Sequence, residues 1–120
     1  MTTYTKDQVD AKIVEFVAKL NEFVSSEQAR NFPGLKLVYK IEIENGSKNA
    51  RIVRREYTVE GEKISGSVHC FIDRSTGDIK KAAGYKAPAP NGVRGNIFTS
   101  PNMGIGIDNV VGVYGCAYLR

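Results

Sequence analysis

Apolar residues recur at helical spacing near the start of the chain: Val9, Ile13, Phe16, Leu20 and Phe23 step by 4, 3, 4 and 3 and stack on one face. Thr5 is a good N-cap and Gln8, three residues on, completes a capping box, so one long helix is predicted over residues 5–26. Glu15 and Lys19 stand at i,i+4 spacing on the other side. Val14, Val17 and Val24 widen the apolar stripe, which fits either core packing or a helix shared with a second subunit. Arg30 to Gly34 closes the element, with Pro33-Gly34 as a breaker.

The period then changes to two. Leu35, Leu37, Tyr39, Ile41 and Ile43 face one way, while Lys36, Lys40, Glu42 and Glu44 face the other, which predicts a half-buried strand. Asn45-Gly46 begins a turn. A second strand is predicted over 50–59, a turn at Glu60-Gly61-Glu62, a third strand over 63–72, and a short fourth at 79–81 after Ser75-Thr76-Gly77-Asp78. From residue 82 to about 109 Gly, Pro, Asn and small side chains dominate, a stretch too long for an idle connector. A last apolar run, 110–119, reads as a strand thinned by Gly112 and Gly115. A helix followed by a meander predicts an α+β fold: one long N-terminal helix on an antiparallel β-sheet, a long Gly/Pro-rich ligand loop, and a C-terminal strand.

With 120 residues the chain has the length of a single domain, 1–120, with one modest core. Its 42% hydrophobic and 25% charged residues are those of an ordinary globular domain. No apolar run approaches the ~18 residues of a membrane span, and the N-terminus lacks the layout of a signal peptide, so a cytosolic protein with no membrane partner is predicted. In that compartment Cys70 and Cys116, which share no close spacing, are expected to stay reduced. The net charge of +4 is spread over Lys36/Lys40, Arg51, Arg54-Arg55 and Lys80-Lys81 without forming a block. It fits a mildly basic solvated surface as well as an anion-binding one.

Catalytic chemistry finds little support. His69 is the only histidine, no Gly-x-Ser-x-Gly elbow accompanies it, and His69 and Cys70, adjacent on a strand, are expected to point to opposite faces. Neither a metal site nor a cofactor is predicted, and an ordinary hydrogen bond is expected for His69. Glu42 and Glu44 fall where alternation puts them in solvent. No Walker A or Gly-x-Gly-x-x-Gly motif follows a strand. No residue is assigned a catalytic role and a non-enzymatic protein is expected.

The segment 80–98 has the parts of a nucleotide site. Tyr85 beside Gly84 offers a ring face to a base. Arg94 carries a fork for phosphate, with Lys86 as a second charge. Gly92 and Gly95 let backbone N–H groups approach an anion, and Asn96 offers donor and acceptor to a base or ribose. Pro88 and Pro90 stiffen the span. A structural loop with Tyr85 packed over Pro88 explains the same letters.

Specific runs add a resemblance. Val68-His69-Cys70-Phe71-Ile72-Asp73-Arg74, Thr76-Gly77-Asp78-Ile79, Lys86-Ala87-Pro88-Ala89 and Val93-Arg94-Gly95-Asn96-Ile97-Phe98 resemble a family of small phage proteins that includes the Thoeris anti-defence proteins of the first type. The ending from Gly112 to Arg120 is similar as well, so the likeness covers about half the chain. Such proteins bind the cyclic ADP-ribose-derived signal of host TIR enzymes and sequester it uncleaved. The resemblance implies a sponge for glycocyclic ADP-ribose in the host cytoplasm, with cyclic trinucleotides at separate sites in some members. It implies a homo-oligomer, a dimer or a trimer of dimers, and places Tyr85 and Asn96 in the signal pocket. Two departures stand out: Tyr85 replaces a bulkier or less polar aromatic, and Pro90-Asn91-Gly92 is one residue longer. Arg30 and Arg120 are candidates for a second ligand by charge alone. The alternative reading is a basic nucleic-acid-binding accessory protein, with an enzyme acting on nucleotides as a further rival; the sponge reading expects no specific nucleic-acid partner.

Overall fold

Helix α1 spans Lys6–Asn31 and begins with the expected reciprocal cap. The Gln8 N–H donates to Thr5 Oγ1 at 3.1 Å and the Thr5 N–H donates to Gln8 Oε1 at 2.8 Å. The helix runs past the expected end at residue 26 because its last turn is stabilised electrostatically. Glu27 is nearly buried and pairs with Arg30 one turn on, and Arg30 also suits the negative end of the helix dipole. Glu15 pairs with Lys12 at 3.4 Å rather than with Lys19; both spacings bring side chains together on a helix. These features belong to a computed structural model that describes residues 4–31, 34, 37–84, 87–106, 109–112 and 115–116.

The sheet is a meander of five antiparallel strands in sequence order: β1 (Leu37–Asn45), β2 (Asn49–Thr58), β3 (Lys63–Asp73), β4 (Asp78–Ala82) and β5 (Pro88–Asn96). One face packs on α1. Val9, Ile13, Phe16, Val17, Leu20 and Val24 of the helix join Ile41, Ala50, Ile52, Cys70, Ile72 and Ile79 of the sheet in one buried cluster. Val17 and Val24 of the wide stripe are thus absorbed within the chain, while Val14 is 61% exposed. Asn21 reaches from α1 to the edge strand. Its Nδ2 donates to the Ile41 carbonyl at 3.1 Å and its Oδ1 accepts from the Ile41 N–H at 2.7 Å, so a side-chain amide stands in for a missing neighbouring strand.

The opposite face of the sheet is polar but not simply solvated. Register places Glu42 beside Val53 and Glu44 beside Arg51. Arg55 bonds Glu42 at 2.9 Å and Glu44 at 3.0 Å, Arg51 bonds Glu44 at 3.2 Å, and the Tyr57 hydroxyl donates to Glu42 at 2.6 Å. The two carboxylates expected in solvent are therefore held in a ladder of cations, because antiparallel neighbours on one face face each other directly.

The stretch beyond residue 82 is more ordered than its composition suggests. Pro88–Asn96 forms β5, which pairs only with β4 and so lies at the sheet edge. Proline lacks the ladder donor, and an edge strand leaves one side of the backbone unpaired, which is where strand prolines are tolerated. The β4–β5 register is irregular: Lys80 faces Val93 and Ala82 faces Pro88, so the residues around Pro90 to Gly92 bulge from the ladder. A tight turn follows at Pro101–Gly104, with Asn102 and Met103 at positive φ, and Ile97, Met103, Ile105 and Val111 complete the core. The expected C-terminal strand is a minimal ladder, β6 (Val111–Gly112) against β7 (Gly115–Cys116), with the rest of that run outside the described residues.

Candidate functional site

The sequence-predicted set divides along one hairpin. Tyr85 and Lys86 lie outside the described residues; Gly84 and Ala87, which flank them, are exposed, and the Ala83 and Gly84 N–H groups both donate to the Ala87 carbonyl. Arg94, Gly95 and Asn96 occupy the other end of β5, where Gly95 faces Ile79 and Asn96 faces Asp78. At the rise of a β-strand, β4 from Asp78 to Ala82 separates these two ends by roughly 13 Å.

Asn96 is committed to holding two turns together. Its Nδ2 donates to the Thr76 carbonyl at 3.0 Å and to Asp78 Oδ1 at 3.1 Å, its Oδ1 accepts from the Phe98 N–H at 2.8 Å, and its own N–H donates to Ser100 Oγ at 3.0 Å. An amide offers two donors and one doubly accepting oxygen, so most of its capacity is used. Gly95 answers a packing need: a Cβ there would come within 2.7 Å of Ser100 Oγ and 2.8 Å of Val110 Cγ2. Gly77, at φ +80, is closed over by Phe98, whose ring would lie 2.9 Å from an added Cβ. Arg94 is half-buried on β5. For the suggested second-ligand residues, Arg30 is paired with Glu27 and Arg120 lies outside the described residues.

The β3–β4 turn that Asn96 grips is itself braced. Asp73 accepts from the Ser75 N–H at 2.8 Å and the Ser75 hydroxyl at 2.6 Å, and pairs with Lys80 at 3.2 Å. Burial works against the Asp73 charge, but Ser75 and Lys80 outweigh it and hold the carboxyl below its ordinary range. Arg74 points its fork at Asp10 of α1, with Nε at 3.1 Å and Nη2 at 2.9 Å, and donates from Nη1 to the Gly46 carbonyl. That bidentate bond, with the arginine charge, lowers the Asp10 carboxyl.

His69 makes the hydrogen bond expected of it, though in unexpected surroundings. β3 bulges here: Ile52 faces Cys70 and Val53 faces Val68, so His69 has no residue opposite. Its Nε2 lies 2.8 Å from the Gly112 carbonyl, which can only accept, so Nε2 carries the proton. Nδ1 is buried and has no hydrogen-bond partner among the described residues. Burial, with the charge of Arg54 adding to it, pushes the imidazole down to about 4 despite the bond to Gly112. Cys70 beside it is fully buried. Among the described residues no group of three or more His, Cys, Asp or Glu side chains could hold a metal ion, and no helix is long and apolar enough to cross a membrane.

Sequence reasoning passed over a cleft of about 350 Å³ lined by Tyr4, Lys6, Ser47, Lys48, Arg74 and Ser75. One signal was available: Lys6 sits in the first turn of α1, where a cation opposes the helix dipole. The approach of Lys48 and Arg74 to it depends on strand register and was not legible.

Residues 1–114 match the model of a family of unknown function, DUF7717, and the chain belongs to that family. No curated protein and no solved structure matches it.

Proposed function

We propose that this DUF7717 member binds a small phosphate-bearing nucleotide and holds it uncleaved, lowering its free concentration by mass action. The observation that supports the reading is how two of the four resembling runs, 76–79 and 93–98, close on each other. Asn96 of the second run bonds Thr76 and Asp78 of the first, and Phe98 packs over Gly77. Residues remote in sequence thereby form one braced unit at the base of a hairpin whose far end is exposed at Gly84 and Ala87. A rigid support with an exposed tip is a common arrangement for a binding loop.

The resemblance to the Thoeris anti-defence proteins supplies the ligand's identity in this proposal, a glycocyclic ADP-ribose signal, with cyclic trinucleotides as a second class. It also supplies the setting, the host cytoplasm, and the assembly, a dimer or a trimer of dimers. Within the proposal Tyr85 stacks on adenine, Arg94 and Lys86 carry charge to the pyrophosphate, and Gly95 and Asn96 shape the base of the hairpin. The test is recovery of the ligand. After incubation with glycocyclic ADP-ribose and denaturation, mass spectrometry should return the cyclic compound intact. Tyr85→Ala and Arg94→Ala should each weaken binding about tenfold or more, the scale of one lost stacking or charged contact. A linear product would identify a hydrolase, and unchanged affinity in both variants would remove the hairpin from the site.

A further inference from the structure

Three elements distant in sequence bring cations to one place. Lys6 comes from the first turn of α1, Lys48 from the β1–β2 loop, and Arg74 from the β3–β4 turn. The convergence is built rather than incidental: the Arg74 N–H donates to the Lys48 carbonyl at 2.9 Å while its guanidinium clamps Asp10 and the Gly46 carbonyl. Arg74 is thus a staple joining helix, loop and turn. Asp10 offsets its charge, which leaves the two lysines as the net positive charge of the cleft. Among the described residues neither Lys6 nor Lys48 makes an ion pair. Lys6 stands where the helix dipole disfavours a cation, and Asp10 one turn on attracts it.

The remaining walls suit a flat ring. Tyr4 stacks on Phe98 with ring centroids 3.7 Å apart and planes within 7°. The brace holds Tyr4 at the cleft without the ordering cost that a loose tyrosine would bring to binding. Ser47 is exposed beside it and offers a hydroxyl. A volume near 350 Å³ falls in the range of small-ligand sites.

We infer that the cleft between Tyr4, Lys6, Ser47, Lys48 and Arg74 is a binding site for a nucleoside diphosphate, with the phosphates between Lys6 and Lys48 and the base against Tyr4. The inference rests on the proposed function only for the ligand's class. Its lining residues are other than Tyr85 and Arg94, the residues on which that proposal is tested.

The full chain is titrated with ADP, inorganic pyrophosphate and adenosine while backbone amide shifts are followed by NMR, and the titrations are repeated on the Lys6→Gln/Lys48→Gln double variant. Both lysines are exposed, so the variant should fold, and its thermal midpoint checks that. ADP should move the amides of Lys6, Lys48 and Ser75, bind more tightly than pyrophosphate or adenosine, and lose at least about tenfold in affinity in the double variant. An ADP affinity that the double variant leaves unchanged, or equal affinities for ADP and pyrophosphate, would overturn the assignment. The probes contain no cyclic signal, so failure of that signal to bind leaves this test standing. Loss of the cleft would likewise leave the hairpin untouched.

Discussion

His69 shows how a single buried side chain sets a pH dependence. In the fold it is neutral, donating from Nε2 to Gly112 with no partner for Nδ1 among the described residues, and burial holds its pKa at about 4 against an ordinary 6.5. The unfolded chain takes up a proton below pH 6.5 and the native protein does not, so stability is complete above that value and falls as pH drops towards 4. A shift of this size corresponds to a loss of up to about 3 kcal/mol. The urea midpoint should fall over that window, and His69→Gln, which keeps a donor for Gly112 without a titrating ring, should flatten the profile. An equal slope in the variant would assign the effect elsewhere. Asp10 and Asp73, both held low, act at more acid pH, their stabilisation being lost as pH falls through their depressed values. Gly95 makes the second residue-scale case. Its missing Cβ leaves room for Ser100 and Val110, so Gly95→Ala should cost about 1–3 kcal/mol in urea unfolding through overpacking alone. A neutral substitution there would contradict the packing account and favour a backbone role at a ligand.

At the scale of elements, what could be read in the sequence tracks how local the determining interactions are. The capping box and the stripe from Val9 to Leu20 are set within a turn or two of helix, and the structure has both. Thr5→Ala should therefore cost about 1 kcal/mol and show as faster amide exchange in the first turn of α1. The first strand follows from alternation and the next three from the turn residues between them. β5 did not, because Pro88 and Pro90 look like strand breakers until the sheet order shows them on an edge. The bulge at His69 was hidden for the opposite reason: nothing in Val68-His69-Cys70 announces an unpaired residue, and only the register of β2 reveals it. The proposed site was the least legible. Asn96 was legible as a polar side chain with unmet donors, yet its partners, Thr76 and Asp78, come from a turn some twenty residues earlier. Glu42 and Glu44 were correctly placed on the polar face, but their cations lie across a strand pairing that periodicity does not fix.

Across the whole molecule, α1 covers one part of the inner sheet face and the segment from Ile97 to Val111 completes the same core, while the outer face carries the Glu42–Arg55 ladder. That division leaves the ends of the hairpins and the margins of α1 as the places where ligands can be met. The cleft at the start of α1 and the exposed end of the β4–β5 hairpin are two such places. On the proposed reading this architecture captures a cyclic nucleotide signal and does nothing further to it. The most direct measurement is isothermal titration calorimetry of the full chain against glycocyclic ADP-ribose, with linear ADP-ribose and a cyclic trinucleotide as comparators. A sponge should give tight binding of the glycocyclic compound, at about one per chain or per dimer, and markedly weaker heat from linear ADP-ribose. No heat from any of the three would contradict it and turn attention to a basic surface that meets longer nucleic acids.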